Sequence, residues 1–131
     1  MRVLLDTNAY TALLRGHAEV AALVRRSGEV LISPVVAGEL LFGFRNGARY
    51  EANRRQLDAF LESPFVRFLD ITLVTADRFG RLAAGLRKKG RPIPSNDLWI
   101  AAQAMETGAD LVSFDKHFAE IDGLAWIRPE A

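Results

Sequence analysis

Val3-Leu4-Leu5-Asp6-Thr7-Asn8 is the stretch from which the rest of the chain is read. Three apolar residues without a polar interruption read as a strand buried on both faces, the kind that builds a parallel sheet. The run stops on a carboxylate. In an open α/β sheet, ligands bind just beyond the carboxyl ends of the strands, so Asp6 stands where chemistry is placed. The same residue, or Thr7, also suits the cap of a following helix over Ala9 to Arg15, the commoner use of such residues. Whether other carboxylates reach the same edge decides between the two.

Working outward, Ala18 to Arg26 reads as a second helix with Val20, Leu23 and Val24 inward, and Val30-Leu31-Ile32 as a second buried strand. A helical connection of more than twenty residues between them implies parallel pairing through a right-handed crossover. Ser33-Pro34 is a strong helix start, serine as cap and proline in the first turn. The helix that follows, Val35 to Phe44, is apolar nearly all round and is therefore expected to be buried, with Glu39 in its middle. A buried lone carboxylate is costly unless it is paired, protonated or bound to a metal. The plainest structural reading of Glu39 is a salt bridge to one of the many arginines.

Ala48 to Glu62 is amphipathic, and Val66 to Leu69 reads as a third strand. A long helix follows, with Leu73, Val74, Phe79, Leu82, Ala83 and Leu86 at helical spacing and Asp70 and Thr72 as capping residues. Arg87-Lys88-Lys89-Gly90-Arg91 closes it, cations that a helix C-terminus favours and that could also steer phosphates. Pro92-Ile93-Pro94 forces an extended path. Ser95 or Asn96 then suits the cap of an apolar helix ending at Gly108, which leaves Asp97 unneeded as the cap. Leu111 to Phe114 reads as a fourth strand closed by Asp115, Lys116 to Ile121 as a helical turn, and Leu124 to Ile127 as a last strand. The alternation predicts a three-layer α/β/α fold with a mostly parallel central sheet, one domain over residues 1–131.

The chain has no cysteine, so disulfides and thiolate zinc sites are excluded. It carries no leader-like or bilayer-length apolar run, and the expectation is a cytoplasmic protein with no membrane partner. The net charge of +1 hides an asymmetry. With four of the 16 acids set aside, 17 basic side chains face 12 acidic ones, a cationic and largely arginine surface that suits phosphate contacts.

Those four acids are Asp6, Glu39, Asp97 and Asp115. Asp6 and Asp115 end parallel strands, Glu39 lies in a helix leaving that edge, and Asp97 opens a buried helix. Together and bare they repel. A divalent cation relieves the repulsion, and an all-oxygen set selects Mg²⁺ or Mn²⁺ over zinc. The usual work of such a site is phosphoryl-ester cleavage, in which the ion activates water and polarises the phosphate.

Leu5-Asp6-Thr7-Asn8, Glu39-Leu40, Asn96-Asp97-Leu98-Trp99-Ile100-Ala101-Ala102 and Ser113-Phe114-Asp115-Lys116-His117-Phe118 together resemble the PIN-domain nucleases, in particular the VapC toxins of prokaryotic toxin–antitoxin pairs. The likeness spans essentially the whole chain. It implies a Mg²⁺- or Mn²⁺-dependent endoribonuclease with Asp6, Glu39, Asp97 and Asp115 as its acidic catalytic and metal-holding set. It also implies an RNA substrate such as transfer RNA, a homodimer, and a VapB-type antitoxin that blocks the site. Where the family often has threonine two residues before its last acid, this chain has Ser113. Thr7, Asn8, Asn96 and Ser113 are expected to orient the carboxylates. His117 is expected to face solvent, and Trp99 and Trp126 to belong to the core. The alternatives are a PIN-fold RNA-binding or RNA-processing protein that is not a toxin, and a receiver-like signalling domain. The latter would need a second acid beside Asp6, where Thr7 stands, and a phosphoacceptor such as Asp70.

Overall fold

Every apolar run that reads as a strand becomes one in the computed structural model, which describes residues 1–131. In chain order the elements are β1 (Arg2–Leu5), α1 (Thr7–Leu14), α2 (Ala18–Arg26), β2 (Glu29–Ile32), α3 (Pro34–Arg45), α4 (Tyr50–Glu62), β3 (Val66–Phe68), α5 (Leu73–Lys88), α6 (Ser95–Thr107), β4 (Asp110–Val112), a 3₁₀ turn (Lys116–Glu120) and β5 (Trp126–Ile127). The strands pair in the order β3-β2-β1-β4-β5, and each pairing is parallel. No helix is long and apolar enough to cross a membrane.

The order places β1 in the middle, and the chain leaves it in opposite directions on its two sides. Right-handed crossovers from β1 to β2 to β3 put α1 to α4 on one face, where α1 packs on α2 and α3, and α3 on α4. The return from β3 to β4 puts α5 and α6 on the other face, packed on each other. The reversal of strand order therefore falls between β1 and β4, the crevice in which open α/β sheets hold ligands. Leu5 pairs with Val112 in register, so both strands end side by side. Val3, Leu4, Leu5, Val30, Leu31, Ile32, Leu111 and Val112 have no exposed surface. They anchor that edge in close-packed core.

Local chemistry sets the element ends. Ser33 caps α3 by accepting from the Val35 N–H at 3.0 Å, with Pro34 in the first turn. Thr72 caps α5, its N–H donating to Thr75 Oγ1 at 3.1 Å. Gly108 closes α6 at φ +71°, a left-handed conformation in which a side chain is strained. His17, unremarkable in sequence, accepts from the Val20 N–H at the start of α2. Trp99 is packed as expected, stacked on Phe79 at 4.1 Å between α6 and α5.

Several local expectations are corrected. α3 is not buried all round: Val36, Ala37 and Leu40 face the core, while Phe42 is 69% exposed. Leu73 and Val74 begin α5 on the outside, 85% and 64% exposed, so the inward face of that helix starts at Thr75. Ser95 is the first helical residue of α6 and Pro94 takes the cap position, with no side-chain cap bond. Asp70 caps nothing: it is exposed beside β3, an edge strand separated from β1 by β2. That position does not suit a phosphoacceptor next to Asp6.

Leu4→Ala empties a fully buried place in the central strand and is expected to cost about 3 kcal/mol. Leu73→Ala should stay within about 0.5 kcal/mol. Urea unfolding of the two variants checks both values.

Candidate metal centre at the carboxyl edge of the sheet

Asp6 follows β1 directly, and its N–H donates to the Val112 carbonyl at 3.3 Å, which ties it to the end of β4. Its Oδ1 accepts from the Ala9 N–H at 2.9 Å, so Asp6 does cap α1. The cap uses one lone pair and the carboxylate keeps others, so the capping and the site readings are compatible. Asp6 is only 7% exposed. Burial pushes its carboxyl above the usual aspartate range. Hydrogen bonds from the Ser113 hydroxyl and the Ala9 N–H pull it back, and the charges of Asp97 and Asp115 push it up again.

Asp97 lies in the first turn of α6. Its carboxyl is also raised, first by burial, then by Asp115 and to a lesser degree by Glu39, while His117 opposes the shift. Asp115 stands three residues beyond β4, one turn later than a strand end. It caps the 3₁₀ turn, its Oδ1 accepting from the His117 N–H at 2.9 Å. Ser113, fully buried, holds the approach: its Oγ accepts from the Asp115 N–H at 3.0 Å. Its carbonyl accepts from Trp126 Nε1 at 3.0 Å, so Trp126 does more than fill core.

Glu39 is partly buried and has no arginine partner. Its Oε1 accepts from Thr7 Oγ1 at 2.6 Å and its Oε2 from Asn96 Nδ2 at 3.2 Å. Thr7 begins α1 and Asn96 lies in α6, so Glu39 ties α3 to both layers across the sheet edge. Thr7, Asn96 and Ser113 thus hold carboxylates or their loops, while Asn8 is exposed and holds none. In Arg87-Lys88-Lys89-Gly90-Arg91, two of the cations are already engaged, Lys89 with Asp122 and Arg91 with Glu120, both at 3.6 Å.

What the sequence left open is the contact made by His117: the side chain is half exposed, as expected, yet its Nδ1 lies 3.1 Å from Asp115 Oδ1 and 3.3 Å from Asp97 Oδ2. The tightest group of possible ligand atoms is Asp97, Asp115 and His117, all within 4.8 Å of one another. Asp6 and Glu39 are coupled to this group through their charges. A histidine two residues after a turn-capping aspartate is the available sequence signal, since the cap folds the two back on each other. Lysine and arginine ion pairs form elsewhere on the molecule, and none touches these four acids. Carboxylates from four elements with no lysine or arginine partner, those of Asp6 and Asp97 raised, are a donor set that fits a divalent cation.

This fold and this edge define a PIN domain. The chain matches the PIN domain family model over residues 3–124 and belongs to that family. Within it the chain belongs with the VapC ribonucleases: it is 30% identical over 131 residues to Ribonuclease VapC1 of Haemophilus influenzae (strain R2866), covering 96% of each chain. Among solved structures it is similar to VapBC2 from Rickettsia felis bound to a DNA fragment from their promoter. That likeness has a TM-score of 0.87 and 27% identity over 99% of this chain and 100% of that one. It is also similar to VapBC-1 from nontypeable Haemophilus influenzae, with a TM-score of 0.86 and 30% identity over 98% of each chain.

The raised carboxyls make a signed prediction. A folded-state pKa above the unfolded value of about 3.9 means that the folded protein holds the proton longer. The Asp6 contribution to metal-free stability is therefore undiminished below pH ~4 and is lost as pH rises through the raised folded value. Asn at position 6 keeps a cap and removes the charge. In EDTA, the Tm of the native protein should fall relative to Asp6→Asn as pH climbs from ~4. A difference that stays constant or narrows contradicts the shift.

Proposed function

We propose that this chain is the toxin of a type II toxin–antitoxin pair, a metal-dependent endoribonuclease acting as a single nuclease domain over residues 1–131. The observation that carries the reading is the convergence of Asp6, Glu39, Asp97 and Asp115 on one sheet edge with no lysine or arginine to neutralise them. Asp97 and Asp115 would hold the ion, with Asp6 beside them, and Mg²⁺ or Mn²⁺ suits the carboxylates. When bound, the cation polarises the scissile phosphate and makes water a stronger nucleophile.

The chain's own residues do the rest. Asp6, fixed by its bond to the Ala9 N–H, presents its second oxygen without reorganising. Glu39 is held from both sides by Thr7 and Asn96, and each oxygen keeps a second lone pair. That spare capacity supports a role for Glu39 in accepting a proton from the attacking water. Water adds to phosphorus, the bond to the leaving ribose oxygen breaks, and the products are a phosphate monoester and a free hydroxyl. An open edge on a cationic surface suits a structured RNA such as transfer RNA, bound through its phosphates.

The partners proposed are a second copy of the chain and a VapB-type antitoxin, in the cytoplasm. Exposed Phe42 on α3 and Leu73 and Val74 on α5 supply apolar surface that such partners would cover.

Total cellular RNA incubated with the protein should be cut with Mn²⁺ or Mg²⁺ present and spared in EDTA, and Asp97→Asn should lower the rate by about 100-fold or more. Equal cleavage by the variant sinks the reading. The cation should also raise the Tm of the native protein: at a hundred times its Kd, binding adds about 2.7 kcal/mol. A melting curve indifferent to millimolar Mn²⁺ and Mg²⁺ counts against the site.

A further inference from the structure

The sequence implies an all-oxygen donor set, but the structure places an imidazole nitrogen in it. His117 Nδ1 lies between Asp115 Oδ1 at 3.1 Å and Asp97 Oδ2 at 3.3 Å. The ring is held there from its backbone, because Asp115 Oδ1 accepts the His117 N–H at 2.9 Å. That bond fixes the turn whatever the side chain is. Phe118, next in the chain and 1% exposed, locks the 3₁₀ turn into the core. The turn thus fixes where the ring leaves the backbone, and the two carboxylates orient its Nδ1.

We propose that His117 Nδ1 is a ligand of the divalent cation, completing a mixed nitrogen–oxygen set with Asp97 and Asp115 and biasing the site towards Mn²⁺ over Mg²⁺. This rests on the metal-site reading given above and goes beyond it. Mg²⁺ is hard, takes oxygen ligands and keeps its waters. Imidazole nitrogen is a softer donor that later first-row ions accept more readily, and affinity for a given mixed site rises from Mn²⁺ along the series. An imidazole that binds the ion through Nδ1 leaves Nε2 facing outward. His117 is half exposed, so that nitrogen can carry its proton towards water.

The first measurement is electron spin-echo modulation from ¹⁴N on the Mn²⁺-loaded native protein. Modulation from a directly bound nitrogen is expected, and it should vanish in His117→Ala and His117→Gln. The second is calorimetric titration with MnCl₂ and with MgCl₂. His117→Ala should weaken Mn²⁺ binding about tenfold and leave Mg²⁺ little changed, so that the preference narrows. Far-UV circular dichroism confirms that the variants fold, as expected for a half-exposed side chain. If Mn²⁺ binds without nitrogen modulation and with the same preference in His117→Ala, the nitrogen ligand is wrong and the carboxylate site stands. If Mn²⁺ does not bind, or binds Asp97→Asn equally well, the metal centre falls and His117 with it.

Discussion

Carboxylates of like charge are held close together where β1 and β4 end. The repulsion is sustained because the strands beneath them cannot move: Leu4, Leu5, Leu111 and Val112 are fully buried, and β1 has a parallel neighbour on each side. In close-packed interiors a shift at one position propagates to its neighbours. Burial first, and the charges of Asp97 and Asp115 after it, hold the Asp6 carboxyl above its usual range, while the cap bond keeps the side chain in place. The rigid strand ends are what allow charge to be stored in the site.

The oxygens divide between structure and chemistry. Asp6 spends one on the cap of α1, Asp115 turns one onto the His117 N–H, and Glu39 gives one lone pair on each oxygen to Thr7 and Asn96. These three acids are thus oriented by hydrogen bonds while keeping acceptor capacity for a ligand. Such bonds remove the rotamer freedom that a ligand would otherwise have to freeze. The cost is that backbone caps and candidate ligand positions are the same residues, which ties the folding of α1 and the 3₁₀ turn to the geometry of the site.

The surface has a second character. α3 and the start of α5 carry more apolar side chains than the single core has room for, and Phe42, Leu73 and Val74 end up outside. Such side chains are the surface that the proposed partners would cover. The cationic excess elsewhere, much of it arginine, suits a polyanion held through its backbone.

The sequence by itself determined the elements and their order. Val3–Leu5, Val30–Ile32 and Leu111–Phe114 read as buried strands, and the helical connections between them implied parallel pairing. It also picked out Asp6, Glu39, Asp97 and Asp115, because a carboxylate at the end of an apolar strand or inside an apolar helix violates local preference visibly. Three things were decided only by tertiary structure. Which face of α3 is covered depends on what packs against it, since a helix apolar nearly all round has no preferred side in sequence, and Leu73 and Val74 of α5 are left outside because nothing in the chain packs over them. The partners of Glu39 come from residues 32 and 57 positions away, distances over which local pattern carries no information. The direction of His117 depends on the 3₁₀ turn and on Asp97, which enters from α6. Patterning is set by neighbours along the chain, whereas hydrogen bonds and charge coupling act through space and exist only once the sheet has brought its strand ends together.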